Sequence, residues 1–160
     1  MPNFSVYSWL IDGYCVQHNE EEALKLPDEF VKRGLSEDVF LYSSIIRGLC
    51  RKAKLRSAEK AFNKMSRRGL VGDALVYTTL IYAYLGAGEL NKASELCEEM
   101  ASKRILINLK TFYVFDKYSL EMDGRPEVFW NGMIERGLVV KSVAQKVKTI
   151  AQASTSSMLF

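Results

Sequence analysis

The chain has 160 residues, 48% of them hydrophobic, with 22 Lys and Arg against 19 Asp and Glu, for a net charge of +3. That composition suits one domain with a sizeable core and is too apolar for a disordered chain. The charge is mildly basic, which permits a polyanionic partner without demanding one. No apolar run approaches the roughly 20 residues that span a membrane, so no membrane role is expected. The three Cys are scattered and odd in number, which implies no disulfide framework and fits a reducing compartment. "MPNFS" has neither the basic and apolar regions of a signal peptide nor the Arg- and Ser-rich pattern of a transit peptide.

The first predicted helix carries "YSWLIDGYC", where Tyr7, Leu10, Ile11 and Tyr14 form one apolar stripe. The turn "VQHN" leads into a second helix, "EEALKLPDEFVKR". Pro27 lies inside that helix and is expected to kink or shorten it, at a cost of about 3 kcal/mol. Gly34 then ends it as a left-handed cap. The chain repeats itself with "LYSSIIRGLC", the turn "RKAK", the helix "RSAEKAFNKMSRR" and Gly69. It does so again with "VYTTLIYAYL", "GAGE" and "NKASELCEEMASK". Here Arg104 replaces the helix-ending Gly, so this exit is expected to differ.

The step is 35 residues. Tyr7, Tyr42, Tyr77 and Phe112 keep it, as do Ile11, Ile46 and Ile81, and Ala23, Ala58 and Ala93. Phe30, Met65 and Met100 align, followed by Leu35, Leu70 and Ile105, and Asp38, Asp73 and Asn108 close the units. Three complete units span 4–38, 39–73 and 74–108. A degenerate unit, 109–138, has Asp116 in the Ile column and Pro126 interrupting its second helix. A closing helix, 139–153, with Val139, Val143, Val147 and Ile150 on one face, is expected to cover the open end. One helical hairpin cannot bury its apolar faces, so the units must stack. The predicted fold class is an all-α solenoid, a single array over 1–160.

These units resemble the pentatricopeptide repeat family, and most closely its plant-type P class. The likeness rests on "YSWLIDGYC" and "YSSIIRGLC" early in a unit, Ala then Leu or Phe then Met in the second helix, and "RGL" followed by Asp at the end. It covers roughly residues 2 to 140 and is weak in the fourth unit. It implies a right-handed superhelical solenoid that binds single-stranded RNA, about one base per unit. It also implies an organelle address, mitochondrion or chloroplast, and a role in RNA processing, stability or translation. Two residues per unit would choose the base, here Ser8 with Asp38, Ser43 with Asp73, and Thr78 with Asn108. The family rule gives a G-G-A preference. A hydroxyl can both donate and accept at a purine edge, and the one after each Tyr is expected to face the groove. The second residue of each unit would stack on bases: Ser5, a poor wedge, then Phe40 and Leu75. Arg51 alone fits the phosphate-contacting column.

Other readings weigh against these. Asp38 and Asp73 are also placed to cap the following helix. Cys15, Cys50 and Cys97 form no metal-ligand pattern and read as buried structural thiols, with the single His, His18, in a turn. No metal site, cofactor or catalytic constellation is expected, so the chain does not read as an enzyme. Of two basic runs, residues 64–69 read as a solvated helix face, and residues 51–56 read equally as phosphate contacts. The rival function is a protein-interaction scaffold. "Pro2-Asn3" resembles the end of a preceding unit, so a fragment of a longer array is a further alternative.

Overall fold

The computed structural model describes residues 10, 11, 13, 14, 17, 19–120 and 126–157. Among them the fold is all-α. Residues 10, 11, 13 and 14 are helical, and eight longer helices follow: α1 (Glu20–Lys32), α2 (Val39–Arg51), α3 (Leu55–Arg67), α4 (Ala74–Gly86), α5 (Leu90–Ser102), α6 (Leu109–Leu120), α7 (Pro126–Glu135) and α8 (Lys141–Ser157). Each of α2 and α4 packs on the helix that follows it, and α2 packs on α4, α4 on α6 and α6 on α8. The first helices of successive hairpins therefore form one continuous row.

The core explains the 35-residue columns. Tyr42, Tyr77 and Phe112 are at most 1% exposed, and Ile46, Ala58, Met65, Ile81, Ala93 and Met100 are buried with them. Helix α4 has neighbours on several sides, and every residue from Val76 to Tyr84 is buried. Its two buried threonine hydroxyls are satisfied within the helix, Thr78 Oγ1 donating to Ala74 O at 2.5 Å and Thr79 Oγ1 to Leu75 O at 2.7 Å.

The helix ends share one device. After α1, the Gly34 amide donates to Val31 O and the Leu35 amide to Phe30 O. After α3, Gly69 and Leu70 donate to Ser66 O and Met65 O in the same way. This is the Schellman cap, in which the residue past the turn also packs on the last apolar residue of the helix. It accounts for the paired columns Phe30/Leu35, Met65/Leu70 and Met100/Ile105. The exit at Arg104 does not differ. Arg104 adopts φ 54°, close to Gly34 at 74° and Gly69 at 76°, and makes the same two bonds, Arg104 N to Ala101 O and Ile105 N to Met100 O. The same two backbone bonds hold a non-glycine residue in the left-handed region.

Three further expectations are revised. Pro27 neither ends nor shortens α1, which runs 13 residues like α2 and α3. Buried Pro27 lies on the packed face beside Ala23 and Leu26, and that packing holds the helix across the missing amide. Pro126 does not interrupt a helix but opens α7, where its fixed φ and absent N–H cost nothing. The closing helix starts at Lys141 rather than 139 and continues to Ser157. Its approach is held in a parallel bridge, with the Ile107 amide donating to Leu138 O at 2.8 Å and the Val140 amide to Ile107 O at 2.9 Å. Val139 is spent on that bridge, Val143 and Val147 are buried, and Ile150 is 42% exposed. The degenerate unit adds aromatic rings to the usual columns: Tyr82 meets Phe115 and Phe129 edge-on, and Phe112 lies 4.7 Å from Trp130.

Candidate nucleic-acid interface

The ends of the first helices carry the regular polar positions. Asp38 Oδ1 accepts from the Leu41 amide at 2.8 Å, Asp73 Oδ1 from Val76 at 3.0 Å, and Asn108 Oδ1 from Thr111 at 3.0 Å. Each is an exposed N-cap of the next first helix, at the same end of α2, α4 and α6. Capping fixes what each residue can offer. A capping carboxylate keeps its second oxygen as an acceptor. A capping Asn must use its oxygen on the helix, which leaves its NH2 as a donor. The column thus presents acceptor, acceptor, donor.

The hydroxyl column does not face an open groove. Ser43 is 5% exposed and Thr78 0%. They sit on the faces by which successive first helices pack, and the Thr78 proton is already given to Ala74 O. Phe40 is 45% exposed and Leu75 half-buried, one on each neighbouring first helix. Arg51 is half-buried at the end of α2. Ser5, Ser8, Cys15 and His18 lie outside the described residues.

Much of the basic charge is used internally. Lys64 pairs with Asp28 at 2.8 Å, and Arg68 with Asp28 at 2.7 Å and Glu37 at 3.0 Å. Residues 64–69 are therefore not a simply solvated face; they tie one hairpin to the previous one. Lys54 pairs with Glu20, so the run at 51–56 is partly engaged as well. The Lys64 hydrogen bond holds the Asp28 carboxyl below its ordinary range, against some desolvation. The Tyr42 hydroxyl, sealed under this network, donates to Glu37 at 3.1 Å, and burial raises its pKa. Burial also pushes the Cys50 thiol up to about 12. Among the described residues, no cluster of His, Cys, Asp and Glu could hold a metal ion, and no helix is long and apolar enough to cross a membrane.

One feature had no signal in the repeat columns. A cleft of about 980 Å³ opens between α4, α5 and α7, with Leu85, Leu90, Val128 and Met133 among its walls. It lies where the unit step falls from 35 to 33, Met100 to Met133.

Stacked 35-residue helical hairpins with a polar cap at each seam define the class of helical-repeat solenoids. Within it, the family profile described as the PPR repeat family matches residues 2–51 and 37–81, and the pentatricopeptide repeat domain matches 60–115. The chain belongs to the pentatricopeptide repeat family. Among solved structures it is similar to the pentatricopeptide repeat protein PPR10 from maize, at 19% identity and TM-score 0.56, over 93% of this chain and 21% of that one. PPR10 in complex with an 18-nt psaJ RNA element gives TM-score 0.60 at the same identity and coverage. The PPR domain of Arabidopsis thaliana protein-only RNase P 1, in complex with tRNA, gives TM-score 0.53 at 13% identity, over 74% of this chain and 62% of that one. The chain thus spans about a fifth of the PPR10 chain it matches. No curated protein sequence matches it.

Proposed function

We propose that this chain is a non-enzymatic binder of single-stranded RNA that takes about one base per unit and serves RNA processing, stability or translation in a mitochondrion or chloroplast. The observation that carries the reading is the exposed cap column of Asp38, Asp73 and Asn108. Three side chains of fixed hydrogen-bonding sense stand at one end of consecutive first helices, beside Phe40 and Leu75, which offer faces for bases. An acceptor meets the N–H groups of guanine, and a donor meets N1 of adenine, which supports a G-G-A preference. The buried Ser43 and Thr78 shape the seat, and the caps make the distinction.

The test is a titration against short RNAs containing GGA, with CCU as control, at low and moderate salt. Asp38→Asn and Asp73→Asn keep the caps but turn an acceptor into a donor, so they should shift preference from G toward A at their positions. Each wrong base should cost about 1–3 kcal/mol, by analogy with bidentate readout of duplex DNA. Equal, negligible binding of both RNAs would overturn the reading. The cleft between α5 and α7 favours the second reading, a protein-interaction scaffold; partner binding there would depend only weakly on salt, whereas phosphate neutralisation depends on it steeply.

A further inference from the structure

Tyr113 occupies the same 35-residue column as Ser43 and Thr78, but the structure treats it differently. The two hydroxyl residues are 5% and 0% exposed, whereas Tyr113 is 54% exposed. Its ring is braced edge-on by buried Phe112, centroids 5.5 Å apart. Across from it, on α8, the Lys146 ammonium lies 5.8 Å from the ring centroid. Helix α8 takes the place of the next first helix in the row, because the segments leading into α6 and α8 run parallel through the Ile107–Val139 bridge.

Part of the basic charge along the row is neutralised by carboxylates. Lys54, Lys64, Arg68, Lys92 and Lys103 each pair with a carboxylate. Helix α8 carries Lys141, Lys146 and Lys148 and no Asp or Glu at all. Among the described residues none of these three lysines makes an ion pair, and neither does exposed Lys110, one turn before Tyr113 on α6. An exposed aromatic ring, rigidly backed and flanked by unneutralised cations, is the combination that holds an unpaired nucleotide: the ring takes the base and the cations take the phosphate.

We propose that Tyr113, with Lys110 and Lys146, is a stacking platform for one further nucleotide of the bound RNA, beyond the base taken at Asn108. The proposal rests on the RNA-binding reading above. Stacking reads no base edge, so this position accepts any base, and it lengthens the footprint without adding sequence information. It also places a phosphate attraction at the α8 end of the array.

The test compares RNAs in which GGA is followed by an abasic nucleotide, A, C or U, titrated against the whole chain. The phosphate count is then constant and only the base differs. The expected result is that any base tightens binding about 5- to 150-fold over the abasic RNA, the range of one base–aromatic stack. Tyr113→Ala should abolish that gain and leave the abasic RNA bound as before, while Tyr113→Phe keeps the gain. Lys146→Gln should weaken all four RNAs and flatten their salt dependence. Far-UV circular dichroism checks that each variant is folded. Equal binding of abasic and base-bearing RNA, or a gain that survives in Tyr113→Ala, overturns the platform while GGA selection over CCU still stands. Loss of GGA selection with the gain intact overturns base reading and leaves the platform. No binding of any RNA overturns both.

Discussion

Ala53→Gly should stabilise the protein. Ala53 follows α2 with φ 57°, and its amide donates to Cys50 O while the Lys54 amide donates to Leu49 O. One unit later the same place is held by Gly88, at φ 77°. A side chain in the left-handed region costs roughly 1–2 kcal/mol. Glycine gives back about 0.4–1 kcal/mol through its freer unfolded chain. The expected net gain is about 0.5–1 kcal/mol, which for a chain of this size is a rise in Tm of about 1–4 °C. Urea unfolding followed by circular dichroism should show a higher midpoint at unchanged slope. Arg104→Gly should gain less at low salt, because a cation beside a helix C-terminus contributes about 0.3–1 kcal/mol that glycine forfeits. That difference should fade at high salt. Gly69→Ala is the converse: a Cβ there meets nothing within 4 Å, so the net loss is the backbone strain less the entropy alanine removes from the unfolded chain, with no clash in it. A neutral Gly69→Ala, or an Ala53→Gly that lowers the midpoint, would refute the strain account.

The Asp28 network makes a pH prediction. Its folded-state pKa is depressed, so its stabilisation is present above the unfolded value of about 3.9 and is lost as pH falls through the lower folded value. Wild type should therefore lose more stability than Asp28→Asn below about pH 4, with the difference reduced by salt, since Asp28 is 42% exposed; identical acid limbs would sink the assignment. The thiols make another. Burial raises both Cys50 and Cys97, so in a Cys15→Ser background neither should react with an aromatic disulfide reagent at pH 8 until the chain unfolds. Prompt labelling of either would contradict the packing.

The sequence carried the fold well because a repeat states its core several times over. Tyr42 and Tyr77, or Met65 and Met100, stand out by alignment against themselves, and the Schellman pairs explain why Leu35, Leu70 and Ile105 had to keep pace. What stayed hidden was set by context rather than pattern. Arg104 shows that a backbone conformation can outlast the residue that favours it, since the same two backbone hydrogen bonds form around it. Pro27 shows the same for a helix whose buried face holds it. The start of the closing helix is set by the bridge between Ile107 and Val139, residues 32 apart and off the repeat step.

The candidate site divides along the same line. The caps were legible, because Asp and Asn before a helix have a local reason to be there. The burial of Ser43 and Thr78 was not, because it is set by the neighbouring first helix and not by their own. On the RNA-binding reading proposed above, a small solenoid must both seat a base and distinguish it. The seat must be rigid, and burying the hydroxyls makes it so; the discrimination must be accessible, and only the caps are both fixed and exposed. A cap is held by the backbone amide it accepts, so its remaining hydrogen-bonding sense does not fluctuate. Asp→Asn at Asp38 or Asp73 changes that sense while leaving the helix capped. Change of preference without change of stability is therefore the signature that separates a reading residue from a merely structural one.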